Sequence, residues 1–368
     1  MDGVRYLPDT SKKGGSVHPK LMNSEPKSSS QAVLEDRRGR PLKDLRISVM
    51  DRCNFRCPYC MPEDQYHRDF QFLHSDERLS FKEISRVARL FVERGVTKLR
   101  LTGGEPLLRP GLVDLIGELS LIEGVEDLAL TTNGILLAQH AAALKGAGLD
   151  RVTVSLDALD EATFRRMSGG RGTPERVLEG IDAAVEAGLQ PVKVNTVVQR
   201  GINERGVYAL LERFRHTGVV VRFIEYMDVG TLNKWNEKEL VPSAELVQRV
   251  AERWPIRPLE AGYRGEVAAR WEFEDGAGEI GFISSVTQPF CGDCTRARLS
   301  SDGGLYTCLF AARGTDLRGP LRAGADDGEL GQIIDRAWSK RADRYSELRA
   351  EGGRDVRVEK IEMYYIGG

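Results

Sequence analysis

From Leu45 onward the chain alternates between two hydrophobic rhythms. Runs with a two-residue period, rich in β-branched residues, recur at Leu45–Val49, Val96–Thr102, Asp127–Thr132, Arg151–Leu156, Val192–Val198 and Val219–Tyr226, which predicts strands. Between and after them, apolar residues spaced three and four apart predict helices at about 80–94, 111–121, 135–147, 174–187, 205–216 and 243–253. Ser80 with Glu83 is a capping-box signature for the first helix, and Gly95 marks its end. Six strand–helix units in succession predict an α/β fold with a parallel sheet, because parallel strands need crossover connections.

Polar punctuation falls at the same place in most units. Cys53–Cys60 follows the first strand, Gly103–Pro106 the second and Thr132–Gly134 the third, Ser155–Asp157 ends the fourth, and Glu225–Asp228 follows the sixth. In parallel barrels and doubly wound sheets such loops converge on the active site, so one face of the sheet is nominated. Residues 256–368, with strand-like runs at Val267–Phe273 and Glu279–Ser284, read as an extension or cap to a core at 41–255. Residues 1–40 lack periodicity and are rich in Ser, Pro, Gly and charge, which predicts a disordered or loosely docked arm.

Composition narrows the class. With 368 residues, 41% hydrophobic, 29% charged and a net charge of −2, the chain lacks the basic excess of a general nucleic-acid or membrane-surface binder. No apolar run approaches the roughly 18 residues of a membrane span, and no signal-peptide core precedes the first strand. The expected compartment is the cytoplasm, where six cysteines are not expected to form a disulfide framework.

Those cysteines fall into two sets. Cys53, Cys57 and Cys60 form a C-x3-C-x2-C run; Cys291, Cys294 and Cys308 form C-x2-C-x13-C. A four-iron cluster normally takes four thiolates, so three leave one iron open, and an open position distinguishes a catalytic metal from a closed one. Zinc is the competing reading at each set: His67 or His74 could complete the first, and Asp293 or a distant His the second. A Cys57/Cys60 redox pair is a third. Arg296 and Arg298 lie two apart just beyond Cys294; in an extended segment they share a face, and paired guanidiniums suit a phosphate chain. Arg46, Arg100 and Lys193 are odd charges within apolar strands. Buried cations without partners are costly, so these three should face an anion or an internal salt bridge.

The C-x3-C-x2-C run with Tyr59 before its last cysteine, placed after the first strand and followed by Gly103-Gly104-Glu105-Pro106, resembles the radical S-adenosylmethionine enzymes. Together with the second cysteine set, the Thr295-Arg296-Ala297-Arg298 segment, the run Leu45-Arg46-Ile47-Ser48-Val49 and the pair Gly367-Gly368, it resembles more closely the GTP 3′,8-cyclase family of molybdenum cofactor biosynthesis, over residues 40–368. The resemblance implies an incomplete parallel (βα)6 barrel whose C-terminal extension carries a second iron–sulfur cluster. It implies two [4Fe-4S] clusters held by the two cysteine sets. S-adenosylmethionine would contact Tyr59, Gly104, Glu105, Ser155 and Met227. The substrate would be GTP, bound by Arg46, Arg100, Thr131, Lys193, Arg296, Ala297 and Arg298, with Gly367 and Gly368 reaching into the active site as catalytic elements.

The implied reaction begins with a 5′-deoxyadenosyl radical abstracting hydrogen from the ribose C3′ and gives (8S)-3′,8-cyclo-7,8-dihydroguanosine 5′-triphosphate. The same resemblance implies a one-electron reductant, admits a homodimer, and implies hand-off to the synthase that makes cyclic pyranopterin monophosphate. Two rivals stand beside it: a peptide-maturing radical enzyme with auxiliary clusters, which usually has more C-terminal cysteines, and a zinc-binding scaffold. His67, His74, His140 and His216 receive no role.

Overall fold

Along the central strands, alternate side chains enter two different environments. The computed structural model describes residues 33–352 and 360–368. Its first six strands are β1 (Asp44–Ser48), β2 (Lys98–Thr102), β3 (Asp127–Thr132), β4 (Arg151–Ser155), β5 (Lys193–Val198) and β6 (Val220–Glu225). Leu45 and Ile47 of β1, Leu99 and Leu101 of β2, Leu128 and Leu130 of β3, and Val152 and Val154 of β4 are fully buried in one apolar core. The alternate positions, Arg46, Arg100, Thr131, Thr153 and Ser155, line a cavity instead. Strands buried on both faces usually read as continuous apolar runs; here the inner face is polar, so the barrel interior is a site rather than packed core.

Helices cover the outer face. Phe81–Val92 starts at Ser80, whose side chain accepts the Glu83 N–H while the Glu83 carboxylate accepts the Ser80 N–H, the reciprocal pattern expected from the sequence. Leu112–Ser120, Leu137–Gly146, Pro174–Glu186, Val207–Phe214 and Ser243–Arg253 fall within one or two residues of the expected spans at each end. A further helix, Glu161–Ser168, is opened by Asp160 accepting the Thr163 N–H; at eight residues it offered too short a period to read.

The extension does not stack on the barrel as a cap. It adds β7 (Ile256–Leu259), β8 (Ala269–Phe273), β9 (Glu279–Ile283), β10 (Arg296–Leu299), β11 (Gly304–Tyr306) and β12 (Thr315–Asp316) to the same sheet, in the order β12-β11-β10-β1-β2-β3-β4-β5-β6-β9-β8-β7. Strand β10 pairs parallel with β1, and β9 pairs parallel with β6; antiparallel hairpins then continue outward on both sides. Both edges that six strands would leave open are thereby paired.

The arm expected at residues 1–40 lies outside the described residues as far as residue 32. Its last part is firmly seated: Asp36 and Arg40 are buried, and Arg40 N–H and Arg38 N–H both donate to the Asp36 carboxylate. Among the described residues no helix is long and apolar enough to cross a membrane.

Candidate active site

Strand register gathers the inner-face cations. Arg46 lies directly between Arg298 on β10 and Arg100 on β2, so three guanidiniums stand side by side on strands spaced about 4.8 Å apart. Arg100 Nη1 donates to Thr131 Oγ1 at 3.0 Å and Thr153 Oγ1 at 3.2 Å. Arg298 donates to the Gly367 carbonyl, and the Arg46 side chain makes no hydrogen bond among the described residues. Among the described residues none of the three has a carboxylate partner within ion-pair distance. Burial, and then the neighbouring guanidiniums, depress Arg46 and Arg100 well below the ordinary arginine range and bring Arg298 down to about 10. The cavity they line has a volume of about 290 Å³. A cavity lined in this way suits an anionic ligand.

Arg222 on β6 belongs to the same group, and its sequence signal is that of Arg46, a charge inside the apolar run Val219–Tyr226. Its Nε donates to Asn195 Oδ1 at 2.9 Å, and burial brings it down to about 10. Lys193 shares a strand face with the cavity-lining Asn195 and Val197 but sits at the start of β5, below the lining itself. Desolvation, then Arg222 and Arg151, lower it to about 8. Arg296 lines the cavity with Arg298 as expected for alternate positions. Ala297, between them, faces the other way into the apolar core with no exposed surface, so its side chain cannot contact a substrate and only its backbone remains available.

The first cysteine trio lines a second, adjoining cavity of about 140 Å³ with Gly103 and Gly104. Tyr59, Thr131, Ser155, Asp157, Met363 and Gly368 border both cavities, and the second trio borders the larger one. The two cysteine sets thus flank one joined space. Met227 lines the larger part. Tyr59 is fixed by its hydroxyl donating to Asp157 Oδ2 at 2.7 Å; Asp157, raised to about 6 by burial, also accepts the Val197 N–H at 2.9 Å. Sequence reasoning placed Asp157 at the right loop without assigning it this contact.

Of the two residues of the Gly-Gly-Glu-Pro loop expected to contact the cofactor, Gly104 borders the smaller cavity and Glu105 borders neither. The glycines admit the cysteine loop itself, ahead of any ligand: a Cβ on Gly104 would stand 2.3 Å from the Arg52 carbonyl oxygen, while Gly104 N–H donates to Met50 O at 2.6 Å and Glu105 N–H to Arg52 O at 2.8 Å. Glu105 does not line either cavity. It is 1% exposed, and its carboxylate accepts from Leu107 N–H, Thr132 Oγ1 and Asn133 N–H at 2.7–3.0 Å. Burial raises it to about 7. Its carboxylate thus buttresses the loop from behind.

Gly368 borders both cavities, and Gly367 is buried beside them. Met363–Ile366 forms a short helix that contacts β1, Ile366 is fully buried, and Gly367 follows with φ +72°. A Cβ there would meet Thr102 Oγ1 at 2.2 Å, so only glycine fits both the backbone and the space.

Whether the thiols suit a metal centre can be judged from their surroundings. Burial raises Cys53 to about 12, and burial with repulsion from the neighbouring thiols raises Cys57 and Cys60 too, a penalty that metal ligation removes. At the second trio, Arg296 and Arg341 outweigh burial and bring Cys294 down to about 6, while Cys308 is raised to about 11 by burial. In both trios the N–H two residues on donates to sulfur: Phe55 to Cys53 and Phe310 to Cys308, each at 3.4 Å. Arg296 Nη2 donates to Cys294 Sγ at 3.3 Å. Such N–H···S bonds accompany cluster-ligating thiolates. Among the described residues neither trio is drawn in to the spacing of a single-ion site; the fit to a bulkier cluster rests on the cavity beside each trio and these donors.

An incomplete parallel barrel with a three-cysteine loop after its first strand, opening onto a cation-lined interior, defines a radical S-adenosylmethionine enzyme. Residues 47–214 match the Radical SAM superfamily and residues 219–347 the family described as Molybdenum Cofactor Synthesis C. The chain is 57% identical over 339 residues to GTP 3′,8-cyclase of Xanthomonas campestris pv. campestris (strain 8004), covering 92% of this chain and 98% of the relative. It is 51% identical over 358 residues to GTP 3′,8-cyclase of Acidothermus cellulolyticus, covering 91% and 99%. Among solved structures it is similar in fold to Streptococcus suis SuiB bound to S-adenosylmethionine, with a TM-score of 0.53 and 16% identity over 80% of this chain and 68% of that one. The chain belongs to the GTP 3′,8-cyclase family, and its cofactors are S-adenosylmethionine and iron–sulfur clusters.

Proposed function

We propose that this chain is a lyase that converts GTP to (8S)-3′,8-cyclo-7,8-dihydroguanosine 5′-triphosphate at an early step of molybdenum cofactor biosynthesis. The observation that carries this reading is the Arg298–Arg46–Arg100 row, without carboxylate partners, inside a space flanked by two cysteine trios. Cys53, Cys57 and Cys60 would hold one four-iron cluster, and Cys291, Cys294 and Cys308 the other, each with one iron free of protein ligands. S-adenosylmethionine, when bound beside the first trio and reduced by one electron, supplies the carbon radical that takes hydrogen from the ribose C3′.

The protein's own work is positioning. Arg46, Arg100 and Arg298, with Arg222 and Lys193 beneath, take up the triphosphate charge through fixed donors. Thr131 and Ser155, shared by both cavities, lie where the cofactor and the nucleotide ribose would approach each other. Arg296 keeps the second trio and the substrate end of the cavity in one electrostatic unit. Gly368 borders both cavities where they adjoin. Residues 41–255 thus form the radical-generating barrel with part of the triphosphate site, and 256–368 add the second cysteine set with Arg296 and Arg298. The chain works in the cytoplasm with a one-electron reductant and passes its product to the enzyme that makes cyclic pyranopterin monophosphate.

The test is anaerobic incubation with GTP, S-adenosylmethionine and a reductant. The expected result is the cyclised nucleotide together with methionine and 5′-deoxyadenosine in equal amounts. Cofactor cleavage that proceeds equally with ATP in place of GTP, and gives no cyclised product, refutes the assignment.

A further inference from the structure

The second cysteine set is backed by a buried charge arrangement that the reaction described above does not use. Arg40 has no exposed surface. Its Nε donates to Asp36 Oδ2 at 2.6 Å, and its Nη1 donates to the carbonyls of Cys291 at 2.7 Å and Asp343 at 2.8 Å. Its Nη2 is buried without a hydrogen-bond partner among the described residues, and the residue lines the larger cavity beside Cys291, Cys294 and Cys308. Arg341 is placed alike: Nη1 donates to the Cys294 carbonyl at 2.7 Å and reaches Asp36 Oδ2 at 3.4 Å, while Nε has no hydrogen-bond acceptor. Its guanidinium lies over the Trp338 ring, and Trp338 Nε1 donates to the Arg40 carbonyl, closing the network.

The two guanidiniums face two acids, of which only one is fully buried. Two guanidiniums share one fully buried carboxylate, Asp36; the other acid nearby, Asp343, lies 3.5 Å from Arg341 and is 36% exposed. A buried cationic donor left without an acceptor is costly, and each guanidinium carries one among the described residues. Three thiolates around a four-iron cluster make the complementary anion, and each guanidinium already grips the backbone carbonyl of one of those cysteines. Carbonyl anchoring fixes where the ligands point, and a nearby positive charge stabilises the more negative, reduced state of a cluster.

We propose that Arg40 and Arg341, coupled through Asp36, are positioning residues of the second cysteine centre: they orient the Cys291 and Cys294 ligands and raise the reduction potential of the cluster bound there. The inference rests on the two-cluster reading under Proposed function.

The experiment uses the full chain, reconstituted anaerobically, with iron and sulfide counted and both clusters titrated potentiometrically by electron paramagnetic resonance without nucleotide. Arg341→Gln is expected to move the second cluster to a more negative midpoint and leave the first unchanged. Asp36→Asn is expected to move the second to a more positive midpoint, and Arg341→Lys, which keeps the charge, to stay near the parent. Arg40→Lys is expected to retain both clusters with a faster loss of iron from the second. Unmoved midpoints in Arg341→Gln and Asp36→Asn, with only a fall in thermal stability, overturn the inference and reduce the network to a structural strut; so does an equal shift of both clusters. A parent chain that takes up only one cluster overturns the two-cluster reading and this inference with it, which the iron count separates from the former result.

Discussion

Arg46→Met separates a cation kept for a ligand from one kept for the fold. Arg46 stands between Arg298 and Arg100 in register and makes no hydrogen bond or ion pair among the described residues. Two guanidiniums 5–7 Å apart repel by roughly 2–3 kcal/mol at an effective dielectric of about 20. Arg46 has two such neighbours and no ion pair among the described residues, Asp44 and Cys294 attracting it only in part, so the free protein carries its charge at a loss. Water in the cavity and side-chain relaxation reduce the measurable part to about 1–2 kcal/mol. Methionine retains most of the apolar stem. The substitution is therefore expected to raise the melting temperature of the nucleotide-free protein by a few degrees, and the gain should shrink as salt is added. GTP affinity should move the opposite way: losing one charge-assisted contact of about 1.5–3 kcal/mol weakens binding roughly 10- to 150-fold. Scanning calorimetry without nucleotide and titration calorimetry with GTP, in the absence of reductant, read the two effects separately. A variant that melts lower than the parent without nucleotide would show that Arg46 serves the fold, and the argument from unpaired cations would fail.

Gly104→Ala should lower stability by about 2–4 kcal/mol, from overpacking against the Arg52 carbonyl and strain on the two N–H···O bonds that seat the cysteine loop; iron per chain after reconstitution should fall by about half, with the second centre spared. Lys193, with a folded pKa near 8 against an ordinary 10.5, binds fewer protons folded than unfolded between those values, so nucleotide-free stability should rise as pH is raised from about 8 to 10.5. Lys193→Met should flatten that rise, and an equal pH profile in parent and variant would contradict the shift. Deleting Gly367 and Gly368 should abolish cyclisation while iron and sulfide content stay at the parent level; a truncated enzyme that turns over normally would remove the dipeptide from the site.

The barrel was legible because its physics is local. Leu45, Ile47, Leu99 and Leu101 alternate with Arg46, Ser48, Arg100 and Thr102, and that alternation reports the two sides of each strand before any partner strand is known. The cysteine loops and Arg296/Arg298 were equally readable, since their meaning lies in spacing. What escaped depended on distant partners. Nothing near Arg296 shows that its strand pairs with β1, about 250 residues earlier, or that the extension flanks the barrel on both sides. Glu105 looked like a ligand-facing acid because its own loop is glycine-rich, whereas its acceptors are spent on Thr132 and Asn133 across the next strand. Arg40 sat in a segment of poor periodicity, and its burial comes from Asp36, Trp338 and the Cys291 loop, which only the folded chain brings together.

The pairing of β1 with β10 also dictates an order of events on the ribosome. Asp44–Ser48 emerges early with one ladder of N–H and C=O groups met by β2, but its other edge has no partner until Arg296–Leu299 has been synthesised. For most of translation the nascent barrel therefore exposes an open, arginine-bearing strand edge, a feature that invites mispairing. Closure must wait for residues far along the chain, a high-contact-order step that is intrinsically slow. Shortened chains ending near residue 255 would be left permanently at that stage, and chaperone dependence should be greatest for exactly those lengths of chain.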